Sequence, residues 1–261
     1  MGKYLIYTAI FGEQGDILQE PEQKIEGFEF ACFTDRKDLK SNTWKIIHED
    51  NIPGFFTFTN YEEKIKYTYD NPRLKARIIK TVLPVRLKAF TKSFPYPKEF
   101  SSVFNFFNRY DSQIYIWIDG SMQLKQSPML LIDKVMKEAD ILAFQHPERQ
   151  KIELEAKAAA EGRGTNLTKA LAQVASYRAR GFTWAIQEAI TVTGFLFRRH
   201  SPEMDYFNLS WISEILLFTE RDQLSIDFCI WKHKLKRNFI IGLYRRNPWV
   251  KYHPHSKEKT I

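Results

Sequence analysis

Unbroken apolar runs, more than alternating ones, organise the first half of this chain. Residues 4–10 read as a strand buried on both faces, closed by the turn signal Phe11-Gly12. Residues 28–33 and 44–48 predict two more strands, the former ending in Thr34-Asp35. Between 49 and 70 no period emerges and the segment reads as irregular. Asn71-Pro72 then announces a helix, since Asn caps and Pro suits the first turn. Apolar positions 74, 78, 79 and 82 give that helix a stripe, and Arg73, Lys75, Arg77 and Lys80 give it a cationic face.

Residues 91–112 read as a loop or insertion. Strands are expected at 113–118, 141–145 and 190–197, and helices at 128–138, 149–161, 165–180, 202–218 and 221–236. Gly162-Arg163-Gly164 breaks two of these helices as a flexible turn and matches no phosphate-binding loop. Residues 238–261 read as a basic, irregular tail. Strands alternating with helices predict an α/β fold: one domain over 1–261, with a mixed, mostly parallel sheet flanked by helices. Ligands of such sheets bind beyond the carboxyl ends of the strands.

Composition narrows the function. With 261 residues and 44% hydrophobic content the chain can bury a full core. Its 21 Phe, 12 Tyr and 6 Trp supply core and, in a carbohydrate-handling protein, flat faces for sugar rings and bases. The net charge of +8 favours an anionic partner: a nucleotide diphosphate, an anionic membrane contacted peripherally, or a phosphorylated acceptor. Scattered basic residues with no striped helix or zinc-finger spacing argue against nucleic acid. Two cysteines, Cys32 and Cys229, with no CxxC imply no disulfide framework and a reducing compartment. No leader pattern and no window of about 18 uncharged apolar residues occur, so a cytoplasmic location is expected.

Four strand ends carry polar groups: 8–12, Thr34-Asp35, Asp119-Gly120-Ser121 and His146-Pro147-Glu148-Arg149. Parallel neighbours would gather them on one rim. Asp119, beside a glycine at the end of a buried strand, is placed to reach a divalent metal or a ribose; the alternative is an Asp-Gly hairpin turn. Thr219-Glu220-Arg221-Asp222 reads either as a capping box with Thr219 as cap, or as Asp222 presented to an acceptor hydroxyl as general base. The cationic face at Arg73, Lys75, Arg77 and Lys80 would hold a diphosphate or simply face water. His253 and His255 are metal-ligand candidates or exposed tail residues.

Taken in order, Asn71-Pro72-Arg73-Leu74, Tyr115-Ile116-Trp117-Ile118-Asp119-Gly120-Ser121-Met122-Gln123-Leu124, His146-Pro147-Glu148-Arg149, Glu153-Leu154-Glu155-Ala156 and Arg221-Asp222-Gln223-Leu224-Ser225 resemble a glycosyltransferase-like family formerly called domain of unknown function 616. That family includes plant mucilage- and pectin-related and bacterial polysaccharide-cluster proteins. The likeness runs from about residue 4 to 228. It implies a GT-A-like fold, a nucleotide-sugar donor (a UDP-sugar expected) and a glycan or lipid-linked saccharide acceptor in polysaccharide biosynthesis. It further implies Mn²⁺ or Mg²⁺ on Asp119 and Ser121 with His253 or His255, although Ser121 stands where an Asp-x-Asp motif has its second Asp. Tyr7, Thr8, Ala9 and Asp35 are then expected around the nucleoside. Arg73, Lys75, Arg77, His146 and Arg149 fall to the rest of the donor, Glu155 and Gln223 to the acceptor, and Asp222 and Asp119 to catalysis. The rival readings are a non-catalytic nucleotide-sugar or carbohydrate-binding protein of the same fold, a nucleic-acid binder, and a nucleotide-sugar hydrolase or phosphotransferase.

Overall fold

The computed structural model describes residues 4–12, 16–52, 57–60, 65–68, 71–86, 106–183, 185–187 and 189–253. The central sheet contains β1 (Tyr4–Ile10), β2 (Phe28–Thr34), β3 (Lys45–His48), β6 (Ile114–Ile118), β8 (Ile141–Gln145), β9 (Thr191–Arg199) and β10 (Arg237–Ile240). Their order across it is β10-β8-β9-β6-β1-β2-β3. β1 pairs in parallel with β2 and β6, β2 with β3, and β10 with β8. β9 runs against both β6 and β8, so six strands share one direction. The helices are α1 (Pro72–Val82), α2 (Met129–Leu131), α3 (Ile152–Arg163), α4 (Leu167–Ala179), α5 (Pro202–Leu217) and α6 (Ile226–Lys232). This is the expected α/β architecture of a GT-A-like domain.

Apolar runs without alternation are explained by burial on both sides. Leu5, Tyr7 and Ala9 join Phe33, Tyr115 and Trp117 in one core with residues of α1, α3, α4, α5 and α6. Tyr4, Ile6 and Ile10 join Cys32, Ile116 and Ile118 in a second core beneath α2. All seven side chains of β1 are buried. Both cysteines are free and buried, and burial pushes the Cys32 thiol up to about 12.

Four expectations are corrected. Within 49–70, Glu49–Asn51 forms a 3₁₀ turn and β4 (Thr57–Asn60) pairs with β5 (Ile65–Thr68) as an antiparallel ribbon. The helix expected at 128–138 is one α turn followed by a π turn at Ile132–Met136. The helix expected at 221–236 is a 3₁₀ turn, Asp222–Leu224, followed by the short α6. The C-terminal segment is not an irregular tail: β10 extends the sheet, and β11 (Val250–Tyr252) pairs antiparallel with β7 (Met122–Leu124). Alternation in such three- and four-residue strands is too brief to read as a period.

Candidate active site

Because only β9 is reversed, the carboxyl ends of β1, β2, β3, β6 and β8 open on one edge of the sheet. At that rim both Asp35 carboxylate oxygens accept from the Gly12 amide at 3.0 Å, and His48 Nε2 contacts the Asp35 carbonyl at 2.9 Å. The Asp119 amide donates to the Gly194 carbonyl at 2.8 Å, and the His146 amide to the Ile190 carbonyl at 2.8 Å. Met122 N donates to Asp119 O at 2.9 Å, closing a turn after β6. That turn is not a hairpin, since β7 pairs with β11 and not with β6.

At the centre lies a buried ion cluster built from α1, β6 and the turn after α5. Lys80 Nζ donates to Asp222 Oδ2 at 2.6 Å and lies 3.8 Å from Asp119 Oδ1. Arg77 Nη1 is 3.4 Å from the same Asp222 oxygen. Lys80 and Asp222 are fully buried, whereas the Asp119 side chain is 30% exposed. Two indoles line the ammonium, with Trp117 and Trp211 centroids 5.1 and 5.7 Å away. Trp117 Nε1 donates to Asp119 Oδ1 at 2.6 Å, and Trp211 Nε1 to the Asp222 carbonyl at 3.0 Å. Burial lowers Lys80 to about 8, against the pull of the Asp222 and Asp119 carboxylates, which favour its charged form. Burial alone would raise the Asp222 carboxyl, but Arg77, Lys80 and Arg221 overcome it and hold that carboxyl well below the carboxylate range.

Two expectations for this turn therefore change. Thr219 is no helix cap, because its hydroxyl donates to Gln173 Oε1 at 2.8 Å. Asp222 is sealed from solvent and strongly acidic, which suits a structural counter-charge and not a general base reaching an acceptor.

Beside this cluster a second one forms on α3. Glu155, 1% exposed, accepts from Arg149 Nε at 2.7 Å on one oxygen and from Arg221 Nη2 at 2.7 Å on the other. Arg221 also reaches Gln223 Oε1 at 3.2 Å. His146 Nε2 stands 4.0 Å from Glu155, and its Nδ1 accepts from the Arg149 amide at 2.9 Å. Burial, then the Arg149 charge, lower the His146 imidazole. Glu155 and Gln223 thus bracket arginines; neither is an open acceptor contact, since both are buried.

The four cations of α1 divide among carboxylates of the chain itself. Arg73 lies 3.5 Å from Glu220 and Lys75 2.8 Å from Glu49, while Arg77 and Lys80 turn inward to Asp222. The helix begins as its sequence requires, with Asn71 Oδ1 accepting from the Arg73 and Leu74 amides at 2.9 and 3.2 Å.

Tyr7 and Thr8, expected at the nucleoside, are interior. Tyr7 is fully buried; its hydroxyl donates to the Lys80 carbonyl at 2.6 Å and accepts from Arg198. Thr8 is 1% exposed and Ala9 8%. Their strand has neighbours and packed faces on all sides, so its side chains support the rim from below and only the residues after it reach solvent.

The metal expectation can be examined on the donor groups present. His253 is brought to the Asp119–Ser121 turn by its amide, which donates to Ser121 O at 2.7 Å, while Nε2 contacts Gln123 Oε1 at 3.0 Å. Ser121 is buried, and His255 lies outside the described residues. Among the described residues no three of His, Cys, Asp and Glu come together as a metal site. Asp119 Oδ1 already accepts from an indole and has an ammonium nearby, and a hard dication needs several open oxygens. By themselves the described side chains do not complete a coordination shell for such an ion.

Sequence reasoning passed over Lys80 as an individual, along with Arg198, Trp117, Trp211, Gly194 and Tyr244. One signal was available: a glycine inside the apolar run of β9 marks a close approach. β8 and β9 slip register between Ala143 and Phe144, a bulge that brings Gly194 against Asp119. A Cβ there would stand 2.3 Å from the Tyr244 hydroxyl and 2.8 Å from Asp119 Oδ2.

Part of the chain is similar to known proteins. Residues 106–253 match the family model described as TOD1/MUCI70, glycosyltransferase-like domain. Over 158 residues the chain is 28% identical to a probable hexosyltransferase, MUCI70, of Arabidopsis thaliana; the alignment covers 55% of this chain and 27% of that protein. The matched part thus spans about a quarter of the relative's length.

Proposed function

From the chain's membership of the TOD1/MUCI70 glycosyltransferase-like family, to which it belongs, we propose that it transfers a hexosyl or related sugar from a nucleotide-sugar donor to a glycan or lipid-linked saccharide acceptor. A UDP-sugar is the donor favoured here. The observation that carries the reading is the state of Asp119. It is a carboxylate at the sheet rim, partly exposed, oriented by the Trp117 indole and backed by the buried ammonium of Lys80. Such preorganisation is what a site needs where charge shifts during reaction.

In the proposed reaction the bond from the anomeric carbon to the donor's β-phosphate oxygen breaks, a bond from the acceptor oxygen to that carbon forms, and the acceptor hydroxyl's proton passes to Asp119 or to the departing diphosphate. Negative charge grows on the departing diphosphate as positive charge grows on the sugar ring. The guanidinium groups of Arg149 and Arg221, each partly exposed and held by Glu155, supply the fixed positive charge for the leaving group. Asp35 and the Gly12 amide form the neighbouring nucleoside-side wall, where Arg36 and Asp38 complete a cleft. With Asp222 sealed, Asp119 is the carboxylate assigned to the reacting centre, as partner of the anomeric charge or of the acceptor hydroxyl.

The test is a panel of UDP-, GDP-, ADP- and CMP-sugars, read first by thermal shift and then by transfer and hydrolysis. One donor class should raise the melting temperature, as ligand linkage requires. Asp119→Asn should abolish turnover and keep donor binding. Turnover by Asp119→Asn equal to the wild type removes the assignment. Donor binding by the wild type with no turnover under any acceptor supports instead a binding protein of the same fold.

A further inference from the structure

The charge excess of this chain has an address. Residues 228–257 contain eight Lys and Arg and no Asp or Glu, and the rest of the chain balances at 31 of each sign. Within that stretch lies a tight turn, where Leu243 and Arg246 form a bridge closed by Arg246 N donating to Leu243 O at 2.9 Å. Ile241 is 90% exposed and Leu243 53%. Arg245 and Arg246 stand beside them, also exposed, and Lys251 is exposed on the adjoining β11.

The turn is held rigidly. Asn247 Nδ2 donates to the Tyr244 carbonyl at 2.8 Å, and its Oδ1 accepts from the Trp249 and Val250 amides at 2.9 Å each. The Arg245 guanidinium lies 4.7 Å over the Tyr252 ring. Tyr244 points inward instead, packing on Phe144 at 5.9 Å with its hydroxyl against Gly194. A firmly held turn with two bare aliphatic side chains and neighbouring arginines gains nothing from water.

We propose that residues 241–246 dock on an anionic bilayer surface, with Ile241 and Leu243 entering the headgroup layer and Arg245 and Arg246 meeting lipid phosphates. The bare aliphatic pair favours a bilayer over nucleic acid, whose phosphates would satisfy the arginines but offer nothing to Ile241. No described helix is long and apolar enough to cross a membrane, so the contact is peripheral. Tyr244 ties this turn to the Asp119 rim, which places the rim at the bilayer when the turn is docked.

The experiment is sedimentation of the full chain with vesicles of phosphatidylcholine alone and of an equal mixture with phosphatidylglycerol. Binding to the mixture only, weakened by added salt, is expected. Each basic residue at such a surface is worth about fivefold in partitioning, so the Arg245→Glu/Arg246→Glu variant should bind at least tenfold more weakly. Ile241→Ser/Leu243→Ser should lose a similar factor while melting as the wild type does. Asp119→Asn should bind vesicles normally, which separates this proposal from the catalytic one. The proposal is overturned if the wild type ignores both vesicles, or if both turn variants bind like it. It is equally overturned if the aliphatic variant loses self-association or oligonucleotide binding in place of vesicle binding.

Discussion

Replacing Lys80 by Met keeps the length of the side chain and removes its charge. Asp222 then stays in a fully buried position without the 2.6 Å contact to the ammonium, and Arg77 at 3.4 Å becomes its nearest cation. Its Oδ1 already lacks a hydrogen-bond partner among the described residues. Removing one partner of a buried pair costs about 3–5 kcal/mol, and Arg77, still 3.4 Å away, keeps the loss at the low end of that range. The loss stands above the roughly 0–1 kcal/mol of an exposed pair because water cannot reach the carboxylate to replace the lost contact. Urea unfolding followed by circular dichroism is the assay. With a slope of about 2–3 kcal/mol/M, the midpoint should fall by about 1–2 M at unchanged slope. The double variant Lys80→Met/Asp222→Leu removes the carboxylate but takes from Arg77 its partner, so it should lose less than the sum of the two single variants without reaching wild-type stability. A Lys80→Met midpoint within about 0.2 M of wild type, or a double variant as unstable as the sum of the singles, refutes the reasoning.

Gly194→Ala puts a methyl group 2.3 Å from the Tyr244 hydroxyl and 2.8 Å from Asp119 Oδ2; we expect about 1–3 kcal/mol of destabilisation and a turnover loss well beyond it, measured by melting and by the transfer assay together. Asn71→Ala removes the cap of α1 and should cost about 1 kcal/mol in urea unfolding, with Asn71→Ser recovering most of it, whereas Asn71→Asp would set a carboxylate against Glu220, to which the Asn71 amide donates at 2.8 Å. Acid should destabilise the fold in two stages. His146 and His253 both have lowered imidazole values, so the unfolded chain takes up protons first and stability begins to fall as pH drops below about 6.5. Asp222 is depressed, so its contribution is whole above the ordinary Asp value of about 3.9 and disappears as pH falls below it. Melting temperatures from pH 8 downward check both stages, and Asp222→Asn should flatten the lower one.

Much of the frame was written in local pattern. The long apolar runs of β1 and β6 could only be strands, and Asn71-Pro72 could only open α1 in this context. The rim followed from strand direction, which put Asp35, Asp119 and His146 at one edge. Side-chain partners were a different matter. Lys80 and Asp222 are 142 positions apart, and nothing near either residue announces the other. Local signals favoured a helix cap at Thr219 and an exposed basic face on α1; tertiary packing gave Thr219 to Gln173 and turned Arg77 and Lys80 inward. Tyr7 was misplaced although its strand was read as buried: the resemblance put it at the nucleoside, while its hydroxyl is taken up by the Lys80 carbonyl and by Arg198, which arrives from β9. The β11 ribbon escaped notice because a three-residue strand has too little length to show a period.

That same ribbon sets a timetable for synthesis. The backbone around Asp119 is completed by an amide from His253, more than a hundred residues later, and β9 must already be in place to accept the Asp119 amide. A nascent chain can therefore lay down β1, β2 and β6 well before its rim exists. Until β9 and β11 have been made, the backbone on either side of Asp119 lacks the partners that fix it.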